Sequence, residues 1–417
     1  MKERQGIFWG WYIVMGAFLL LSISYGARYS FGIFVKPMSL DYGWSRSVIS
    51  LGASINMIIY SFCSIFLGRM LDKAAPRWII TAGATITSLS FFLTSLVKTP
   101  LQFYIVYGLL CGAGTACMGL VVINSSVGKW FVRKRGLAIG ISTMGVSFGT
   151  IALTPSAGYI VKSYDWQRGF IFLAVIFLLV GVSLSQLLMR RTNPETYGLF
   201  PDGDRREERV YKNNPVNGHP MQLPLGIIFR DFRFWVLAVC YSLAVMALMS
   251  VFVHQVAYAL DNQIENIVAA SSLGVLGVGG FCGQFFFGWF SDRVKDAKYS
   301  AFLGMVIMAA GMVLLLNANT AQRLYYYALI YGFGYGSLAP MMPILVADRF
   351  GRHVLGSVYG ILTFFIGVGG GIGPFVGGLI YDRFGSYTYV WQSNVVVLVI
   401  CAFLILMLKP GDAVVKK

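Results

Sequence analysis

One cation stands where hydrocarbon is expected. In the stretch GWYIVMGAFLLLSISYGARYSFGIFVKPMSLDYGWSR, residues 10–46, an apolar helix runs on until it reaches Arg28. A cation inside a membrane helix costs at least about 2.5–3.5 kcal/mol on insertion scales, so it should face a protein interior or an aqueous cavity. Tyr25, Arg28 and Tyr29 stand at i, i+3 and i+4, which puts them on one helix face. A guanidinium presents a planar fork that suits a carboxylate, and two phenols beside it add hydroxyls that orient one. The chemistry is therefore capture of a small anion. The competing reading is an arginine that snorkels to the interface or pairs two helices.

The other side chains with chemistry are few. His254 is the one group titrating near neutral pH that falls inside an apolar run, and it suits a coupled proton or a hydrogen bond to substrate, or else a satisfied core histidine. Tyr331 and Tyr335 repeat the i, i+4 spacing of Tyr25 and Tyr29, either as substrate-facing phenols or as packing aromatics. Asn124, with Ser125 beside it, and more weakly Asn56, are uncharged polar candidates. No Asp or Glu falls in mid-span, so a buried-carboxylate proton relay is not expected. If no protein group carries the proton, anion exchange or proton binding alongside the substrate remains open.

These residues need a scaffold, and the composition says which kind. Of 417 residues, 57% are hydrophobic and 12% charged, far from the roughly 25% charged usage of soluble domains. Apolar runs long enough to span a bilayer fall near 8–35, 47–70, 76–96, 101–127, 136–160 and 168–189, then near 232–259, 266–290, 298–316, 322–346, 356–380 and 388–408. The expected fold is all-α integral membrane, with twelve transmembrane helices. The first run is too long for a signal h-region and lacks a small-residue cleavage site, so it is expected to be retained.

Lys and Arg set the orientation. With the N-terminus cytoplasmic, 25 of the 33 basic residues fall inside, seven outside and Arg28 within the membrane. Both termini are then cytoplasmic. The net charge of +16 follows from this topology, and no nucleic-acid partner is needed to explain it. All six cysteines lie in spans without CxxC or His/Cys spacing, so neither a metal site nor a disulfide framework is expected. The short loops point to a bacterial plasma (inner) membrane, and a monomer is expected, with the lipid bilayer as its main partner.

Residues 190–229 break the apolar pattern with charge, Pro and Asn, and read as a cytoplasmic linker. The expected domains are a six-helix bundle over 1–190, the linker over 191–229, and a second six-helix bundle over 230–417. The halves repeat. Phe131 opens FVRKRGLAIG with Pro155 following, and Phe350 opens FGRHVLGSVYG with Pro374 following, each pair offset by 219. Gly68-Arg-Met-Leu-Asp72-Lys73 recurs as Gly288-Trp-Phe-Ser-Asp292-Arg293 with an offset of 220. A six-plus-six repeat is what alternating-access transporters use, with substrate bound between the halves.

The G-x-x-x-D-[RK] loops after the second and eighth runs resemble the signature of the major facilitator superfamily. FGIFVKPMSLDYGWSR, KWFVRKRGLAIGIS and GYGSLAPMMPILVADRFG resemble the monocarboxylate porters and oxalate/formate exchangers, a resemblance that covers residues 8–408. It implies a carboxylate substrate such as lactate, pyruvate, formate or oxalate, moved with a proton or exchanged for another anion. Those relatives usually carry an arginine on helix eight, four residues before the loop glycine, where this chain has Gln284. The acidic residue found one turn earlier in many of them falls on Gly280, and no lysine lies in the span of helix eleven. The positive charge has moved to helix one, with Gln284 left as a neutral hydrogen-bonding group. A single cation fits a monocarboxylate better than a dianion.

Gly68, Asp72, Lys73, Arg77, Gly288, Asp292 and Arg293, together with Arg135, are expected to form a cytoplasmic gate. Glycine there permits close helix approach, and the charges pair or cap across the interface. Lys129 and Arg133 join this network or simply fix topology. GAGTACMG and GVGGGIG lie inside apolar spans with no preceding strand, so they read as helix packing and not as phosphate loops. No Walker, GxSxG or HExxH pattern is present. The chain is read as a non-enzymatic secondary transporter without a cofactor, carrying a small monocarboxylate with a proton. The alternatives are an exchanger of oxalate/formate type, a porter of another small-molecule class such as drugs or sugars, and a sensor built on a transporter scaffold.

Overall fold

The computed structural model describes residues 8–44, 46–190, 193–195, 199–203 and 225–409. The charged Met1–Arg4 segment and most of the linker lie outside the described residues, as do the side chains of Asp72 and Lys73. Among the described residues there are twelve helical passes. In the first half they are α1 (Trp9–Tyr29, continued by Phe31–Tyr42), α2 (Arg46–Lys73), α3 (Pro76–Thr94), α4 (Pro100–Gly128), α5 (Arg135–Ser163) and α6 (Trp166–Leu187). In the second they are α7 (Phe232–Asp261), α8 (Asn266–Ser291), α9 (Lys298–Leu316), α10 (Ala321–Phe350), α11 (Leu355–Phe384) and α12 (Thr388–Leu406).

Eleven of them are long and apolar enough to cross a bilayer by composition. The exception is α3, a 19-residue helix diluted by Thr81, Thr85, Thr87, Ser88, Ser90 and Thr94. All but the exposed Thr85 are turned inward. Ser88 donates to the Ala174 carbonyl of α6 at 2.8 Å and Ser90 to the Val106 carbonyl of α4 at 2.8 Å. Polar side chains that satisfy carbonyls on neighbouring helices keep such a helix in the bundle.

Within the first half α1 packs on α5, α2 on α4, and α3 on α4 and α6. In the second, α7 packs on α11, α8 and α9 on α10, and α9 on α12. Beside smaller contacts of α10 with α4 and α5 and of α11 with α4, two main pairs join the halves, α2 with α11 and α5 with α8. Both are built from the repeat. A methyl group added at Gly288 of α8 would lie 2.5 Å from the Gly136 carbonyl and 2.6 Å from the Gly140 Cα of α5. On the other side one added at Gly68 would meet the Gly356 carbonyl, and one at Gly360 the Ser64 carbonyl. Gly68 and Gly288, Gly136 and Gly356, and Gly140 and Gly360 are each 220 apart, so one crossing is used twice.

The two crossings are tight at one end only. This is the end where α5 and α11 begin and the linker attaches, called the linker end below. Along α8 the separation from α5 grows from Gly288, past Gly280 with its added methyl 3.4 Å from Ser147 Oγ, to Gly277 and Gly274, which have nothing within 4 Å. Along α11, Gly371 and Gly378 are equally open. The halves diverge toward the far end and leave a cleft.

Three helices are interrupted beside that cleft. Ser30 breaks α1 and donates back to the Gly26 carbonyl at 2.6 Å and across to Thr154 Oγ1 of α5 at 3.1 Å. In α4 the helical turns stop after Ala116 and resume at Leu120. In α10 they stop after Tyr335 and resume at Leu338. Hydroxyl back-bonding and small residues tolerate such breaks where the backbone lines a cavity.

Part of the segment read as linker is ordered. Leu225–Arg230 is a short helix leading into α7. Asp202 accepts from the backbone amides of Val132, Arg133 and Lys134 at 3.0, 2.9 and 3.1 Å, and its own amide donates to the Trp130 carbonyl at 3.0 Å.

Candidate functional site

Arg28 lies in the last turn of the first segment of α1, one turn after the inward-facing Tyr25. Its guanidinium carbon lies 4.2 Å from the centre of the Tyr60 ring of α2 and 5.9 Å from that of Tyr25. The Tyr25 and Tyr60 hydroxyls are 3.1 Å apart. The cation is thus held on aromatic faces, an arrangement worth about 2 kcal/mol or more when desolvated. Among the described residues no carboxylate pairs with it and no acceptor takes up its N–H donors. A cation left with its forked donors free at a cleft between two bundles has the chemistry to receive an anion.

Tyr29 behaves differently from Tyr25. Tyr25 is buried at 7% exposure, whereas Tyr29 is 41% exposed and reaches across the cleft. Its ring stacks on Phe252 of α7 at 6.4 Å and 11°, and Phe252 in turn meets Tyr335 of α10 edge-on at 6.0 Å. These three rings form an aromatic bridge between the halves next to Arg28.

The structure scatters the remaining candidates. Tyr335 belongs to this bridge, and Gly280 of α8 is small enough to admit its ring. Tyr331, one turn earlier, is fully buried against Gly311 of α9, its hydroxyl without a partner. Gln284 is buried at the α5–α8 crossing. Its Oε1 accepts from Ser147 Oγ at 3.2 Å while its Nε2 has no partner. His254 stays with its own half, where Nε2 is 2.9 Å from the Pro374 carbonyl and the ring lies 5.2 Å from that of Tyr387. A carbonyl can only accept, so this contact places the proton on Nε2. Asn56 gives its amide to the Tyr107 carbonyl at 2.9 Å, on the π-helical turn of α4, a structural duty.

Asn124 and Ser125 lie on the second segment of α4. Both are 0% exposed, and neither polar group of Asn124, nor the Ser125 hydroxyl, has a hydrogen-bond partner. Tyr60 is absent from the sequence-derived candidates, because its partners Arg28 and Tyr25 lie on another helix and no local spacing links them. Its one sequence signal is a phenol within an apolar run.

At the linker end the gate residues divide. Asp292, just past α8, accepts from the Gly136 and Leu137 amides at 2.7 and 2.8 Å, so a carboxylate from one half caps α5 of the other and meets its positive helix end. The residue keeps an exposed edge. Partial loss of water pushes its carboxyl up to about 6, against the downward pull of the two amides. Arg135 crosses to Asp348 of α10 at 3.1 Å. Arg293 and Arg77 instead cover their own neighbours, Trp289 at 3.9 Å and Trp78 at 4.9 Å. Lys129 donates to the Leu71 carbonyl at 2.9 Å. Arg352, not singled out by spacing, holds Glu195 of the linker at 2.5 Å.

Comparison with known proteins agrees with this architecture. The Major Facilitator Superfamily model matches residues 17–374 and 272–417. Monocarboxylate transporter 13 of Rattus norvegicus is 24% identical over 91% of this chain and 84% of its own. Monocarboxylate transporter 12-B of Danio rerio is 26% identical over 93% and 85%. An MFS-type transporter of Bacillus subtilis, YcxA, is 23% identical over 91% and 90%. Among solved structures the MFS transporter FucP in its outward conformation superposes with a TM-score of 0.72 at 14% identity, covering 94% of this chain and 97% of that one. With its twelve helical passes, doubled crossing and cleft, this multi-pass membrane transporter belongs to the major facilitator superfamily.

Proposed function

We propose that the chain carries a small monocarboxylate such as lactate or pyruvate, together with a proton, by rocking its two halves about the cleft. The observation that carries this reading is the unpaired Arg28 guanidinium held over Tyr60. A carboxylate entering the open end finds a forked cation and the Tyr25 and Tyr60 hydroxyls beside it, and the Tyr29–Phe252–Tyr335 bridge stands ready to cover it. The monocarboxylate transporter relatives support the substrate class. The excess of Lys and Arg at the linker end supports a cytoplasmic linker and cytoplasmic termini. The arrangement with a closed linker end is then the outward-facing one.

Uptake of labelled L-lactate into proteoliposomes under an inward proton gradient, with wild type beside Arg28→Gln, tests the reading. Gradient-driven uptake that the variant loses is the expected result. Uptake that requires a counter-anion inside would replace symport by exchange, and uptake unchanged in Arg28→Gln would remove Arg28 from the site. Absence of flux for every carboxylate would shift the substrate to another class.

A further inference from the structure

We propose that Asn124, Ser125 and Tyr359 form a second substrate station on the linker side of Arg28, and that it takes the substrate as the neutral carboxylic acid. This rests on the carboxylate reading above. Asn124 and Ser125 are sealed at 0% exposure with their amide and hydroxyl unpartnered. Buried polar groups are normally satisfied, so this pair of side chains is built for something that is not protein. They sit where the halves meet. A methyl group at Gly128, one turn on, would lie 2.9 Å from Leu355 of α11, and the buried Tyr359, one turn into α11, turns its hydroxyl toward the Asn124 amide.

Tyr60 connects the two stations. One face carries Arg28, its hydroxyl meets Tyr25, and its rim closes over Gly119 at the break in α4. A substrate leaving Arg28 toward the linker end therefore passes Tyr60 and reaches Asn124. The groups facing that point, Asn124, Ser125, Tyr359 and Tyr60, are all uncharged at neutral pH. The Lys129 ammonium at the end of the same helix is occupied by the Leu71 carbonyl.

An ionised carboxylate has no counter-charge at such a place and pays heavily to enter it. A carboxylic acid does not. Its carbonyl oxygen accepts from Asn124 Nδ2 while its O–H donates to Oδ1, a cyclic pair that satisfies both orphaned groups. The proton comes from water in the open cleft and bonds to one carboxylate oxygen, which breaks the ion pair. Arg28 stays a guanidinium, and the acid returns the proton to water on release at the linker end. Coupling then needs no titrating protein side chain, in keeping with the His254 contacts, all of which lie in its own half.

Lactamide tests this, because its neutral amide presents the same donor and acceptor pattern as the protonated acid. Wild type should take up labelled lactamide without needing a proton gradient. Asn124→Leu should lose lactamide uptake and slow lactate uptake by about tenfold or more, the cost of one or two lost hydrogen bonds. Lactate binding from the open end, read by intrinsic fluorescence, should stay within about twofold and report that the variant is folded. Tyr359→Phe is read the same way should Asn124→Leu fail to bind. Wild type that carries lactate but neither carries nor is inhibited by lactamide overturns the proposal, as does wild-type lactate flux in Asn124→Leu. Wild type that carries no carboxylate removes the reading on which it rests.

Discussion

The guanidinium of Arg28 rests on the ring of Tyr60, its carbon 4.2 Å from the ring centre. The pair joins α1 to α2 without using a single N–H donor of the arginine, so the cation is fixed in place and still free to bind. Replacing Tyr60 by Phe keeps the face and removes the hydroxyl bonded to Tyr25. Replacing it by Leu removes the face. Lactate KM is expected to rise by a few-fold in Tyr60→Phe and about thirtyfold in Tyr60→Leu, as follows from about 2 kcal/mol for a desolvated cation–π contact. Arg28→Lys should fall between wild type and Arg28→Gln, because an ammonium keeps the charge but not the fork. Initial uptake rates against lactate concentration measure all four.

The doubled crossing makes a conformational prediction. Gly288 admits the α5 backbone so closely that a methyl group would lie 2.5 Å from the Gly136 carbonyl. That oxygen is on a helix and has nowhere to go. Gly288→Val is therefore expected to hold the linker end apart, lower lactate affinity at the open end by about tenfold or more, and leave the helices folded. Single cysteines placed at the linker end and the far end, labelled by an impermeant maleimide, should gain and lose reactivity respectively. Equal labelling in the variant and wild type would mean that the crossing is not the gate.

How much of this was legible in the sequence differs between scaffold and site. The helices, the repeat and the gate glycines follow from apolar run lengths and from an offset of 220, because the bilayer and the close crossing act on local, periodic features. Arg28 was legible for the same reason, as a cation in an apolar run costs too much to be idle. Residue spacing placed Tyr25 and Tyr29 on one face, and the structure divides their work, since the break at Ser30 turns the chain just beyond them. Tyr331 and Tyr335 divide likewise, one against Gly311 and one in the cleft. Tyr60, Phe252 and Arg352 were out of reach because each acts through a residue on another helix or in the linker, and such contacts leave no periodic trace.

The linker bridges the halves. Asp202 is fastened to the amides of Val132, Arg133 and Lys134 on one side, and Glu195 to Arg352 on the other, where Arg352 also reaches the Lys129 carbonyl at 3.5 Å. These charge-assisted contacts are partly exposed and should contribute about 1 kcal/mol each to the closed linker end. Asp202→Ala is expected to raise hydrogen exchange at residues 132–134 about fivefold, and Arg352→Ala to speed opening without changing lactate affinity at Arg28. Exchange unchanged in Asp202→Ala would mean that the amides are shielded by something other than this carboxylate.

Asp292 supplies a pH dependence whose sign can be worked out. In the closed linker end its carboxyl titrates near 6 instead of the ordinary 3.8, because burial outweighs the two amide bonds. Once that end opens, Asp292 returns to water and to its ordinary value. The closed arrangement therefore binds the proton more tightly, and acidification favours it. The effect begins as pH falls through about 6 and is complete below about 4, and since the residue keeps an exposed edge it should shift the equilibrium by no more than about tenfold. Above pH 7 the carboxylate is ionised in both arrangements and the equilibrium is flat. Asp292→Asn, a neutral counterpart of the protonated acid, should abolish the dependence and hold the acid-favoured arrangement throughout, so the variant is more closed than wild type at pH 7 and does not respond to acidification. Cysteine labelling at the linker end between pH 4.5 and 7.5, in wild type and Asp292→Asn, measures it. Labelling that rises in wild type as pH falls through 6 would reverse the sign and place the raised titration in the open arrangement.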